Sequence, residues 1–473
     1  MNIMLLSSEI AVICLALLII TLDLLLPRFE TRRSLGYLAV TGLSGVLAYT
    51  FTLTGGPATV YNGLFIMDSF ALIFKQMFLI ATLLTMLFST DYVENLEGYR
   101  GEFYALLLFA LAGMMIMVSA TDLLTIFVGL ELMTVTFYIL VGFQFNSIKS
   151  SEAGMKYLIL GSAASAVLLY GMSWVYGYTG SVKLAQIAYH ADVSPAMLIG
   201  LGFIIAGLFF KIAVIPFHMW APDIYEGAPT PIAGMLSVGS KAASLAVMLR
   251  ILFVAFIALQ TYWMAIVSIV ATITMIVGTI VAIWQTNIKR MVAYSSIAQA
   301  GYMLLGVMAT DVNGIKSIIF YSVLYIFAIV GAFSVVVAVR RNRGTNEIKD
   351  FSGLAQQSPL LAAVMTVALL SMAGIPPMAG FVGKMYIFTA VIDNGYIGLG
   401  LLGFIMSMIS VYYYLIVVKV MYMNEPQDQK PFLISEPLRI AAIISLLATL
   451  WIGIYPGPLA DLATTAARSL FIL

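Results

Sequence analysis

The side chains able to do chemistry stand where a chain this apolar should carry none. Lys211 interrupts the run LFFKIAVIPF, Pro216 follows five residues later, and His218, one of two histidines, lies just beyond. Pro216 has no amide to offer the carbonyl of Ile212, so a helix must break there. Inside a bilayer a break is tolerated only where the freed backbone meets protein or water. An ionisable side chain at that depth is by default a functional one. After the prolines at 222, 229 and 231 a new apolar run begins. Lys241 lies about ten residues into it, roughly 15 Å of helical rise, near the middle of a ~30 Å hydrocarbon core. Glu131 lies about nine residues beyond Asp122 in DLLTIFVGLELMTVTFYIL, again at mid-membrane depth by the same rise. Lys384 follows a second break, at Pro376–Pro377.

Each such charge costs roughly 2.5–3.5 kcal/mol on insertion scales, so four cost on the order of 10–14 kcal/mol. That is too much for decoration. Desolvation favours the neutral form of a buried lysine, and a nearby carboxylate favours the charged form. A carboxylate that approaches or withdraws therefore makes a lysine hold or release a proton. The expectation is a switchable Glu131–Lys211 ion pair, with Lys241 and Lys384 continuing a proton path. The break after Lys211 leaves carbonyls at a half-helix C-terminus, which favours a cation. Lys384 follows the start of a half-helix, whose dipole opposes one. His218 and Tyr225 are candidates for a relay between the break and water, and His218 equally for a cap. Lys289, beside Arg290 at the start of QTNIKRMVAYSSIAQAGYMLLG, is a surface anchor or a deeper member of the path. Glu131 taken alone would equally suit a helix–helix contact.

The chain has 473 residues, 62% hydrophobic and 10% charged; soluble domains carry about 25% charged residues. This composition specifies an all-α polytopic membrane protein. Its net charge of +1 gives no reason to expect nucleic acid. Cys14 is the only cysteine, which excludes an internal disulfide and an iron–sulfur cluster bound by this chain. His190 and His218 are too few for a His-rich metal site, and no metal site or cofactor site is expected. About fourteen apolar segments follow one another, approximately 3–26, 34–54, 64–90, 102–120, 122–144, 153–178, 196–226, 230–256, 258–284, 291–309, 314–340, 358–394, 396–423 and 437–456. The seventh and twelfth are broken.

Loops after odd-numbered segments hold Arg28, Arg32, Arg33, Arg100, Lys149, Lys156, Lys289, Arg290, Arg340, Arg341, Arg343, Lys349, Lys430 and Arg439. Those after even-numbered segments hold little more than Lys183, Lys316 and Arg468. The positive-inside rule then puts odd loops in the cytoplasm and both termini outside. Two Pro-interrupted segments in corresponding places indicate an internal repeat. The copies are segments four to eight (102–256) and nine to thirteen (258–424), flanked by 1–101 and 425–473. Five is odd, so the second copy starts from the opposite face and the repeat is inverted. In the sixth segment, Gly161, Ser162, Ala163, Ala164 and Ser165 permit close helix packing, and Glu152 and Lys156 are spaced to pair. Gly398, Gly400 and Gly403 spell GxGxxG, but inside an apolar helix with no preceding strand, so they are packing residues.

The blocks KIAVIPFHMWAPDIYEGAPTP, SEAGMKYLILGSAASAVLLYG, QTNIKRMVAYSSIAQAGYMLLG and LLSMAGIPPMAGFVGK resemble the N-type members of the antiporter-like subunits of proton-translocating NADH–quinone oxidoreductase, respiratory complex I. The resemblance covers most of the chain. It implies a fourteen-helix antiporter-like fold with two inverted five-helix repeats, in a membrane-arm subunit without redox centres. The family's acidic residue in the fifth helix matches Glu131. Its lysines in the seventh, eighth and twelfth helices match Lys211, Lys241 and Lys384, and its tenth-helix lysine falls at Lys289. Some L and M subunits carry glutamate at the last position, so a lysine suits the N type. The resemblance implies FMN, iron–sulfur clusters and quinone in other subunits. It implies as partners the antiporter-like subunits M and L and the small subunits K, J, A and H, with the lipid bilayer and protons. The implied location is an energy-transducing membrane, the bacterial inner membrane, with periplasmic termini.

Three functions compete: a proton-pumping subunit of a quinone-reducing complex, a subunit of a multisubunit sodium/proton antiporter, and a passive scaffold. The SEAGMKYLILG block favours the first over the second. The buried charges disfavour the third.

Overall fold

Segments that are apolar on every face have no polar side to hydrate, and their backbone must satisfy its own amides. The chain does so with helices. The computed structural model describes residues 3–25, 32–53, 56, 58–60, 63–94, 100–426 and 432–471. Arg28 and Lys430 lie outside the described residues, and of Arg32 and Arg33 only the backbone is described. Among the described residues, twelve helices are long and apolar enough to cross a membrane. Two shorter apolar helices, Ser34–Thr50 and Pro359–Ala373, make up the expected fourteen segments. The departure from an all-helical chain is a small antiparallel hairpin, Ala58–Val60 against Phe65–Met67.

In order, the helices are Ser7–Leu25, Arg32–Thr50, Ser69–Glu94, Arg100–Ser119, Leu123–Val141 and Ile148–Thr179. The seventh segment is split into Pro195–Ile212 and Trp220–Gly227, and the eighth covers Thr230–Ala255. Then come Gln260–Ile283, Ile288–Met308 and Val312–Arg343. The twelfth is split into Pro359–Ala373 and Ala379–Asp393, and Ile397–Met423 and Glu436–Ile454 complete the set. A last helix, Gly457–Leu470, packs an alanine face inward.

Short polar side chains start the helices by accepting from first-turn amides. Asp122 caps the fifth through the Thr125 amide at 2.9 Å, and Asp311 caps the eleventh through Gly314 at 2.7 Å. Asn287 caps the tenth through Lys289 and Arg290. The sixth and eleventh helices, each of 32 residues, both end on a left-handed glycine, Gly180 and Gly344. Just beyond each, the chain folds back as a single bridge onto the residue that caps an earlier helix, Lys183 onto Asp122 and Glu347 onto Asn287.

The loops sort into two ends. Lys149, Asp223, Glu226 and Arg290, which border odd-numbered connections, pair with one another. Asp68 pairs with Arg250, Asn394 reaches Asp311, and the Phe70 amide donates to Ser469, all at even-numbered connections or the chain end. The eighth and tenth helices are buried along almost their whole length and form the centre of the bundle. The fourth and fifth pack so closely at Gly113 that a Cβ there would sit 2.6 Å from the Met133 amide nitrogen. The eighth, expected as one regular helix, contains two π turns, Leu236–Ser240 and Ile251–Ala255.

Candidate functional site

Both broken segments end their first half in the same way. The helix Pro195–Ile212 closes on Ala213 with φ 58°, and Pro359–Ala373 closes on Gly374 with φ 86°. The amides that follow turn back onto the last turn. Val214 donates to the Phe209 carbonyl at 3.1 Å, and Ile375 to the Leu370 carbonyl at 3.0 Å. The Trp220 indole donates to another carbonyl of the last turn, that of Phe210, at 2.9 Å. The breaks are thus hydrogen-bonded, as a non-aqueous setting requires.

Lys211, in the last turn before the first break, is buried. Its ammonium donates to Thr134 at 3.1 Å and Ser165 at 3.3 Å, and the Ser165 hydroxyl donates to the Glu131 carboxylate at 2.5 Å. The expected direct Glu131–Lys211 ion pair is therefore corrected: a serine hydroxyl stands between the charges. Glu131 is only half-buried, on the outer side of this group. Thr134 is one turn from Glu131 on the same helix face, a spacing that could have been recognised. Ser165 belongs to the small-residue run interpreted as packing surface.

Lys241 follows the first π turn directly, so its side chain leaves the helix at an altered angle. It donates to the Ser296 carbonyl at 2.9 Å and to the Ser296 hydroxyl. Ser296 stands at the same step past its helix cap, Asn287, as Glu131 does past Asp122. Lys384 reaches back across the second break to donate to the carbonyls of Met372 at 2.8 Å and Ala373 at 3.0 Å, and to Ser407 at 2.8 Å. It lies 4.8 Å from the centre of the Tyr302 ring. The expected contrast in helix dipole is overturned. Lys384 sits against the carbonyl end of the preceding half-helix, which favours a cation, and Lys211 bonds to hydroxyls.

Lys289 is fully buried and is not a surface anchor. It donates to the carbonyls of Glu226 at 2.8 Å and Ala228 at 2.6 Å, the end of the second half of the broken seventh segment. No hydrogen bond joins it to Lys241 or Lys384. The His218 side chain is half-buried with its Nδ1 unbonded, and the residue serves the chain through its carbonyl, which accepts from Ala221 at 3.0 Å. Glu152 and Lys156 do pair, at 2.7 Å, and Lys156 also meets Asp223 at 3.1 Å. With Lys149, Glu226 and Arg290 they line an open cleft at the odd-loop end.

Two further buried ion pairs lie outside this line. Lys75 meets Glu9 at 2.6 Å and Arg250 meets Asp68 at 3.1 Å, every side chain 1–3% exposed. These cations have carboxylates in direct contact. Lys211, Lys241, Lys289 and Lys384 are bonded to hydroxyls and carbonyls only.

Residues 120–410, which include all of these unpaired lysines and Glu131, match the family model described as NADH:quinone oxidoreductase/Mrp antiporter, TM. The chain belongs to this family. Within it, the NADH-quinone oxidoreductase subunit N of Heliobacterium modesticaldum is 50% identical over 473 residues, covering 100% of both chains. A chain of respiratory complex I from Thermus thermophilus superposes with a TM-score of 0.83 at 30% identity, covering 97% of this chain and 99% of that one. A chain of the Mrp complex from a Dietzia species gives a TM-score of 0.86 at 22% identity, over 100% and 98% of the two chains; it shares the fold. The chain is a multi-pass membrane protein of the kind found in complex I.

Proposed function

We infer that this chain is the antiporter-like N-type subunit of a proton-translocating NADH–quinone oxidoreductase, and that it moves protons through Glu131, Lys211, Lys241 and Lys384. The observation that carries this reading is the contrast between two kinds of buried cation. A lysine bonded only to neutral hydroxyls and carbonyls can give up its proton without leaving a carboxylate stranded. Lys75, in contact with Glu9, cannot. Full-length identity to N subunits supports this reading over a sodium/proton antiporter subunit, which shares the fold.

The first step is the exchange at Ser165. Its hydroxyl donates to Glu131 and accepts from Lys211. Charge on one is therefore felt by the other through a single rotatable group. Two inverted five-helix units, 102–256 and 258–424, support alternating access to the two ends. The matched caps at Asp122 and Asn287 and the matched breaks at Ala213 and Gly374 favour that division. Lys289 and His218 act as positioning groups for the second half of the seventh segment. The electrons travel elsewhere: FMN, iron–sulfur clusters and quinone belong to other subunits, and this chain carries no redox centre. Its partners are the related M and L subunits and the small K, J, A and H subunits, in a bacterial inner membrane.

The test is proton translocation and quinone reductase activity in membrane vesicles, with assembly followed on native gels. Glu131→Gln and Lys211→Ala assemble normally and lose pumping. Lys211→Arg rescues poorly, because a guanidinium keeps its proton. Full pumping by an assembled Lys211→Ala complex would return this helix to a structural role.

A further inference from the structure

Gln299 lies in the tenth helix and is completely buried. Its amide nitrogen donates to the Met372 carbonyl at 3.1 Å and to the Tyr414 hydroxyl at 3.3 Å. Its amide oxygen accepts from the Tyr321 hydroxyl. The Tyr414 hydroxyl in turn bonds the Ser295 hydroxyl. The Met372 carbonyl is the same one that accepts from Lys384. One carbonyl oxygen, with two lone pairs, therefore takes a hydrogen bond from the lysine and another from the glutamine.

Two consequences follow from donor and acceptor types. The Met372 carbonyl can only accept, so the amide nitrogen must face it and the amide cannot be turned over. The oxygen then faces Tyr321, whose hydroxyl has to donate. Tyr414 receives a hydrogen from the amide, so its own proton is free to point to Ser295. One acceptor thus sets the sense of the whole chain Tyr321–Gln299–Tyr414–Ser295. The second consequence concerns charge. The ammonium of Lys384 spends its three hydrogens on Met372, Ala373 and Ser407. A neutral amine has two hydrogens and a lone pair, so one of these acceptors loses its donor. Ser407 already donates to the Ala373 carbonyl, which therefore keeps a donor without the lysine. The Met372 carbonyl stays bonded if Gln299 holds it. An unbonded carbonyl in so dry a place would oppose loss of the proton.

We propose that Gln299 is a positioning residue for Lys384: its carboxamide keeps the Met372 carbonyl hydrogen-bonded in both charge states of the lysine and imposes one sense on the neighbouring tyrosine hydroxyls. A carboxamide neither gains nor loses a proton here, so Gln299 acts through Lys384 and carries no proton itself. The inference rests on the reading of Lys384 as a proton carrier.

The assay is pumping by the whole complex in membrane vesicles, measured against pH, with assembly checked on native gels. Gln299→Met fills similar volume and makes none of the three bonds. It assembles, loses most of the pumping rate, and moves the pH profile to higher pH, because the neutral lysine has become harder to form. Gln299→His offers a donor to Met372 and an acceptor to Tyr321 and recovers most of the rate. Tyr321→Phe removes a single hydroxyl and leaves the amide oxygen without its donor, so the carboxamide is held less firmly against the Met372 carbonyl. It moves the profile in the same direction and carries the test if Gln299→Met does not assemble. A native rate and profile in Gln299→Met or, if that variant does not assemble, in Tyr321→Phe would overturn the proposal, as would equal losses in the Met and His variants. Lys384→Ala separates the two levels. Full pumping there would remove the carrier role of Lys384 itself, whereas lost pumping beside an unchanged Gln299→Met would remove only the role of Gln299.

Discussion

Lys75 and Lys211 are both buried and both in helices, and what separates them is a partner atom. Lys75 is 2.6 Å from a carboxylate oxygen, and Lys211 meets two hydroxyls. Breaking a direct buried pair strands a charge and costs about 3–5 kcal/mol. Lys75→Ala should therefore lower the melting temperature and the amount of assembled subunit, while the complexes that do assemble pump at the native rate per complex. Ser165→Ala should do the reverse. It removes the hydroxyl that bonds both Lys211 and Glu131, so pumping falls while assembly and melting temperature stay near native. Ser165→Thr keeps the hydroxyl and should retain most of the pumping. The measurements are thermal melting of the purified complex and proton uptake by vesicles. Equal melting and pumping losses in both alanine variants would mean that the two lysines are alike after all.

At the level of the element, each break is a helix end that must satisfy its carbonyls away from water. The left-handed residue that closes it is alanine in one case and glycine in the other. A left-handed conformation costs an L-residue about 1–2 kcal/mol and glycine little. Ala213→Gly should thus leave the melting temperature equal or higher. Gly374→Ala carries the strain and a clash: its Cβ would stand 2.9 Å from Cδ of Lys384. The variant should assemble with a modestly lower melting point and pump poorly, because the lysine is pushed from the Met372 and Ala373 carbonyls. Native pumping in Gly374→Ala would show that the placement of Lys384 tolerates displacement. The π turn before Lys241 is a second device of this kind. It re-aims one side chain within a helix whose only proline, Pro231, stands in its first turn and does not mark the irregularity.

Among the described residues the two sets of loops meet only their own kind, and the lysine and arginine excess of the odd-numbered set predicts that it faces the cytoplasm. Cysteines placed at exposed Lys349 and exposed Tyr189, in a background with Cys14 replaced by serine, should react with an impermeant thiol reagent from opposite faces. Lys349 should be reached from the cytoplasmic face. Reaction of both from one side would break the alternation of fourteen crossings.

The number of crossings, the two breaks and the four mid-membrane charges were legible from the amino-acid sequence. Each is a local property: twenty apolar residues need a helix, a proline removes an amide, and a lysine at ten residues' depth is costly wherever the helix packs. Glu131, Lys211, Lys241 and Lys384 could be named for that reason. Which atoms they touch is a relation between helices far apart in the chain, and no local rule contains it. Ser165 is indistinguishable in sequence from a packing serine until it is seen to stand between Lys211 and Glu131. Lys289 looked like an anchor because its neighbours are charged, and it is buried because the seventh segment ends over it. Lys384 faces the opposite end of a half-helix from the one its position suggests, since a long side chain reaches back across the break. Depth and charge are set residue by residue. Partnership, and with it the difference between a fixed ion pair and a lysine free to exchange its proton, is decided only when the helices pack.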